Sequence, residues 1–148
     1  MRPMLTDTKI KPNLLLVEDS EDDAYFFTRT LQKSGLTCVL HRANNGAEAV
    51  NYLQSAFAQE SKALPCVMFL DLKTPVLNGF EVLDWLRQQT FASQMRVVVL
   101  SGSEHQKDKD RAAELGAADY LVKPVRTGEL DRFLKDVCPR ESETGASS

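Results

Sequence analysis

Five short apolar runs punctuate the chain, at about residues 13–18, 37–42, 66–71, 96–101 and 119–123. Several are unbroken rather than alternating, the pattern of strands buried on both faces. Between them, apolar residues recur at helical spacing. Ser20 and Asp23 form a capping pair that opens a first helix, with Ala24, Phe27, Thr28 and Leu31 on its core face. Gly35 stands where that helix should stop. A second helix runs about 46–58, with Ala47, Val50, Leu53 and Gln54 near helical spacing. A third opens at Asn78-Gly79 and carries Phe80, Leu83 and Leu86. A fifth shows Leu130, Phe133, Leu134 and Val137 at i, i+3, i+4 and i+7.

The fourth helical stretch, about 105–116, differs. It begins His105-Gln106-Lys107-Asp108-Lys109-Asp110-Arg111, and only Ala112, Ala113 and Leu115 offer apolar surface. A helix that buries so little is expected to be the least anchored element. That suits a switch, and it equally suits an ordinary solvated helix.

Five strand–helix alternations imply right-handed crossovers and an α/β fold, a doubly wound five-stranded parallel sheet with helices on both faces. The first strand is expected at its centre, because its flanks are as apolar as itself. With 148 residues the chain has room for one domain. Residues 1–12 are polar, carry Pro3 and Pro12, and read as a flexible leader; 13–138 form the folded domain. Residues 139–148 have no apolar side chain beyond Ala146 and read as a disordered tail.

Composition narrows the function classes. A net charge of -3 argues against a nucleic-acid partner, which requires a basic face. No stretch approaches the ~20 apolar residues needed to span a bilayer, and the N-terminus lacks a signal-peptide core. A cytoplasmic protein without membrane contact is expected. Cys38, Cys66 and Cys138 are an odd number without a CxxC pair, consistent with reduced thiols.

The chemistry lies at the strand ends. Asp71 closes the run Val67-Met68-Phe69-Leu70 and sits where open α/β sheets bind ligands. The first strand runs into Glu18-Asp19, the fourth into Ser101 and the fifth into Lys123. Glu18 and Asp19 read as helix N-terminal acids or as part of a hard-cation site; with Asp71 they make a carboxylate set that suits Mg2+. Three such acids repel, so without a cation one or more should resist ionisation. An Asp carboxylate can attack phosphorus to give an aspartyl phosphate. Lys123 and the Ser101 hydroxyl would then meet the phosphoryl oxygens. Tyr120 lies three residues before Lys123, on the opposite face of the strand, and reads as an edge aromatic or as a reporter of Ser101 movement. The Lys123–Pro124 bond stands at a turn where cis is accessible, although trans is the base-rate expectation.

These residues resemble the receiver domain of two-component response regulators across about 13–138. The segments that carry the likeness are Val17-Glu18-Asp19, Phe69-Leu70-Asp71-Leu72 with Pro75 and Gly79, Val98-Val99-Leu100-Ser101-Gly102, and Gly116-Ala117-Ala118-Asp119-Tyr120-Leu121-Val122-Lys123-Pro124. The resemblance implies the flavodoxin-like receiver fold with strand order 2-1-3-4-5. It implies Mg2+-dependent phosphoryl transfer onto Asp71 from a sensor histidine kinase or a histidine phosphotransfer protein. It assigns Glu18, Asp19, Asp71 and the backbone carbonyl of Lys73 to the metal, Ser101 and Tyr120 to the switch, and Lys123 to the phosphoryl group. Such a protein is a phospho-acceptor and not an enzyme in the usual sense; it catalyses only its own phosphorylation and slow dephosphorylation. The switched face, made by helix four, strand five and helix five, would bind a downstream protein or a second copy of the chain.

No output domain is expected after residue 138, and the chain resembles the stand-alone type. Val17-Glu18-Asp19-Ser20-Glu21-Asp22-Asp23 and Asp71-Leu72-Lys73-Thr74-Pro75 are similar to the small regulators paired with phytochrome-type kinases. Three residues depart from the family's usual pattern. Lys73 and Ser103 border the approach of a hydrolytic water, and Thr74 stands in place of a methionine. Gly102 leaves access to the site open. A haloacid-dehalogenase-type phosphatase would need a carboxylate where Lys73 stands. A flavodoxin-like carrier would need a phosphate loop where Glu18-Asp19 stands, and no GxxxxGK[ST] motif is present. A phosphorylation-independent interaction module would typically lack part of the acidic and basic set.

Overall fold

The computed structural model describes residues 11–59 and 63–138. The expected tail and residues 1–10 of the expected leader lie outside the described residues. Five strands alternate with five helices: β1 (Asn13–Val17), α1 (Glu21–Lys33), β2 (Val39–Ala43), α2 (Gly46–Gln59), β3 (Val67–Asp71), α3 (Gly79–Leu86), β4 (Arg96–Ser101), α4 (Gln106–Glu114), β5 (Asp119–Val122) and α5 (Thr127–Leu134). A short 3₁₀ turn, Ala92–Gln94, precedes β4. The strands form one parallel sheet in the order β2-β1-β3-β4-β5, as the resemblance implied. No helix among the described residues is long and apolar enough to cross a membrane.

Alternate side chains of each strand feed two separate cores, because successive residues point to opposite faces. Leu14, Leu16, Phe69, Val98, Leu100 and Leu121 pack against α1 and α5. Leu15, Val17, Met68, Leu70, Val97 and Val99 pack against α2, α3 and α4. With both faces covered, β3 is buried along its whole length, including Asp71.

The placement of β1 at the centre needs correction. β1 lies inside the sheet between β2 and β3, but β3 holds the middle. Both strands are apolar throughout, so composition alone does not rank them. Strand β2 starts at Val39, two residues later than the apolar run, because this edge strand pairs with β1 alone. The core face of α2 also differs from expectation: Gly46, Ala49, Leu53 and Ala56 are buried, whereas Gln54 is exposed. Its phase is set by Gly46, which lies against the Leu77 carbonyl and Val82 where a Cβ would not fit. In α1, Thr30 is buried and Thr28 is only half-buried, its hydroxyl donating to the Ala24 carbonyl.

Helix ends follow the capping rules. Ser20 Oγ accepts from the Asp23 N–H at 3.2 Å at the start of α1, and Gly35 takes φ 74° beyond its end. At α3, Asn78 and Glu81 form a full capping box, with bonds of 2.9 and 2.8 Å. Helix α4 follows His105, which gives it no side-chain cap, and it buries only Ala112, as its composition predicts. Helix α5 ends at Leu134, short of the periodic pattern; Leu130 and Leu134 are buried, and Val137 packs beyond the helix. All three cysteines are free thiols.

Candidate functional site

The strand register brings the reactive residues to one edge. Val17 of β1 pairs with Leu70 of β3, so Glu18 and Asp71 leave the sheet at the same level. Asp71 pairs with Leu100, and Ser101 with Val122, which places Ser101 one step and Lys123 two steps further out. Carboxylate oxygens of Glu18, Asp19 and Asp71 lie within 4.8 Å of one another. Glu18 and Asp71 are 2% and 6% exposed, while Asp19 faces solvent.

Lys123 enters this acidic group from β5. Its ammonium donates to Glu18 Oε1 at 2.7 Å, to Asp23 Oδ2 at 2.9 Å and to Asp71 Oδ2 at 3.3 Å. The other Asp71 oxygen accepts from the Lys73 N–H at 3.1 Å. Glu18 Oε2 accepts from the Ser20 N–H, and Arg42 of β2 clamps the Glu18 carbonyl through two N–H donors at 3.0 and 2.9 Å. The Lys123–Pro124 bond is cis.

The electrostatics follow from this packing. Burial pushes the Glu18 carboxyl up to about 7; the bond to Lys123 opposes the shift, and neighbouring Asp71 adds to it. Glu18 is thus the acid that resists ionisation, the behaviour expected of crowded carboxylates without a cation. Burial disfavours the Lys123 ammonium, but the bonds to Glu18 and Asp23 and the charge of Asp71 outweigh it and hold Lys123 above the ordinary lysine range. One ammonium meets three carboxylates, and Asp19 adds a fourth acid to the cluster. The residual negative charge and the all-oxygen donor set suit a hard divalent cation.

Ser101 is 1% exposed, and its Oγ accepts from the Ser103 N–H at 3.0 Å. The Ser103 side chain turns to α4 and not simply to the approach over Asp71: its Oγ donates to Asp108 Oδ2 at 2.8 Å and accepts from the His105 N–H at 3.2 Å. Tyr120 does lie on the opposite face from Lys123, among the residues packed toward α2, α3 and α4. Its hydroxyl donates to the Ser103 carbonyl at 3.0 Å. A bond network therefore runs from Ser101 through Ser103 to both Tyr120 and α4.

The loop from Asp71 to α3 is tightly built. Thr74 is buried, and its Oγ1 donates to the Leu77 carbonyl at 2.8 Å. Val76 takes φ 71°, a region that β-branched residues rarely adopt, inside a turn closed by the Leu77 N–H and the Pro75 carbonyl at 2.7 Å. A Cβ on Gly79 would lie 2.7 Å from both the Asp71 carbonyl oxygen and Leu72 Cα, so α3 starts hard against the acceptor's backbone. Sequence reasoning missed Asp23 as a member of the site. As a first-turn acid of α1 it carried no signal of its own in the sequence.

This arrangement has relatives. The family profile of the response regulator receiver domain matches residues 14–135. Protein PilH of Pseudomonas aeruginosa is 33% identical over 124 residues, which cover 84% of this chain and 95% of PilH. Several curated transcriptional regulatory proteins are longer, and the chain spans about half their length. The structure is similar to the bacteriophytochrome response regulator AtBRR, with a TM-score of 0.73 and 31% identity over 86% of this chain and 93% of that one. It is also similar to the Mn(2+)-bound form of response regulator Rcp1, with a TM-score of 0.68 and 29% identity over 85% of this chain and 91% of that one.

Proposed function

The chain belongs to the response regulator receiver domain family, and on that premise we propose that Asp71 accepts a phosphoryl group from a sensor histidine kinase or a histidine phosphotransfer protein. The observation that carries this reading is the state of Asp71 at the end of the central strand. It is buried, it faces Lys123 and the Lys73 N–H, and it clusters with Glu18 and Asp19. In the transfer, an Asp71 oxygen bonds to phosphorus as the bond from phosphorus to the donor histidine nitrogen breaks. The electron pair of that bond leaves with the imidazole. Positive charge and hydrogen-bond donors around the moving phosphoryl group supply most of the catalysis.

Lys123 would pair with one phosphoryl oxygen, and the Ser101 hydroxyl would donate to another. Asp19, Asp71 and the Lys73 carbonyl, supported by Glu18, would hold Mg2+. When bound, that ion neutralises charge on the acids and on the phosphoryl oxygens. The Mn(2+)-bound neighbour supports an ion of this class.

The output follows from the bonds of Ser103. The phosphoryl group carries roughly −1.5 to −2 charge and three acceptor oxygens, in place of the single negative charge of the Asp71 carboxylate. Ser101 moves toward it, Ser103 follows, and the Tyr120 and Asp108 contacts are redrawn. The proposed result is a population shift in α4, which presents the α4–β5–α5 face to a downstream protein or a second copy of the chain. The phytochrome-associated neighbours favour a kinase of that type as donor. Intact mass after incubation with acetyl phosphate and Mg2+ tests the reading. One phosphoryl group per chain is expected, lost in Asp71→Asn; sustained turnover of a phosphate ester would favour a phosphatase instead.

A further inference from the structure

The three N–H donors of the Lys123 ammonium are matched by three carboxylates, so the lysine has no donor in reserve. On the proposed reading, a phosphoryl group on Asp71 takes over the donor now given to the Asp71 carboxylate and draws the ammonium outward, against its shorter bonds to Glu18 and Asp23, so one of those two partners must be released. Glu18 is a poor candidate: its side chain is 2% exposed, and release would leave a buried acid unpaired. Asp71 is itself the modified group. The Asp23 side chain is 48% exposed and can return to water. Its placement is fixed independently of Lys123, because its backbone N–H is the one capped by Ser20 at the start of α1.

We propose that Asp23 is a positioning residue that holds Lys123 in the unphosphorylated protein and releases it to the phosphoryl group. The inference rests on Asp71 being the acceptor. Asp23 thereby stabilises the unphosphorylated state, and it sets how readily Lys123 becomes available. An ion pair this exposed is weak, so the effect is a tuning of rate and not a requirement.

The test compares Asp23→Asn, Asp23→Glu and Asp22→Asn in labelling by acetyl phosphate at saturating Mg2+. Asp22 is an exposed neighbour on the same turn, so Asp22→Asn reproduces the change in net charge without touching Lys123. Asp23→Asn is expected to label about twofold to fivefold faster than wild type. Asp23→Glu and Asp22→Asn stay near the wild-type rate. The Lys123 ammonium ¹⁵N resonance should shift in unphosphorylated Asp23→Asn and hold its place in Asp22→Asn, which a purely structural role would not produce. Labelling of Asp23→Asn at the Asp22→Asn rate, or below wild type, overturns the inference alone. A wild-type chain that takes no label overturns the reading beneath it and the inference with it.

Discussion

Helices α3 and α4 are sequential neighbours of eight and nine residues on the same face of the sheet, and they are held in opposite ways. Helix α3 buries Gly79, Val82, Leu83 and Leu86 and opens with a complete capping box. Helix α4 buries Ala112 alone, and its hold on the preceding loop runs through Ser103 and Asp108. Arg111 adds a contact over the Phe80 ring, 4.1 Å from its centroid. The difference assigns the two helices separate duties. One fixes the backbone of Asp71, and the other is free to answer what happens there. Packing free energy scales with buried apolar surface, so a helix tied mainly by polar bonds can be moved by a change in those bonds.

Core truncation gives the largest expected contrast. Leu83→Ala removes a side chain that is 1% exposed and should cost about 3 kcal/mol by urea denaturation. Leu115→Ala, at the half-buried end of α4, should cost less than half of that. Equal losses would break the comparison. The anchored end also carries a pH signature. The Glu18 carboxyl lies at about 7 in the folded chain against 4.5 when free. The folded, metal-free protein thus binds more protons than the unfolded chain between those values. The contribution of Glu18 is present below pH 4.5 and is lost as pH rises to about 7, on the order of 3 kcal/mol. Denaturation between pH 5 and 7.5 should show this decline, Glu18→Gln should flatten it, and saturating Mg2+ should recover stability at the upper end.

Smaller effects sharpen the contrast. Ser103→Ala removes the tie to Asp108 and should weaken α4 by about 1 kcal/mol. In amide hydrogen exchange, α4 would then open roughly fivefold more often, while α3 stays unchanged. Val76→Gly relieves the φ 71° backbone on the α3 side and should raise overall stability by about 0.5 kcal/mol, read as a higher urea midpoint.

The legible parts of the chain were those where one physical term dominates. Strands buried on both faces announce themselves as unbroken apolar runs, and their ends carried Glu18, Asp71, Ser101 and Lys123 to one edge as expected. The bareness of α4 was equally plain from its charges. The phase of α2 was not, because its alanines are spread around the helix and the deciding contact is the long-range approach of Gly46 to Leu77. The centrality of β3 over β1 depends on crossover order and not on local hydrophobicity. Asp23 was hidden for a different reason. A first-turn acid is already accounted for by the helix dipole, and only the fold shows that Lys123 reaches it.

The central claim is that phosphorylation of Asp71 is felt by α4 and not by α3. Hydrogen exchange read by mass spectrometry, on the same sample with and without acetyl phosphate and Mg2+, tests it most directly. The account predicts altered exchange in peptides covering Ser101 to α4 and Tyr120, little change in α3, and no response in Asp71→Asn. A stoichiometrically labelled protein whose α4 exchange is unchanged, or whose α3 changes as much, would contradict it.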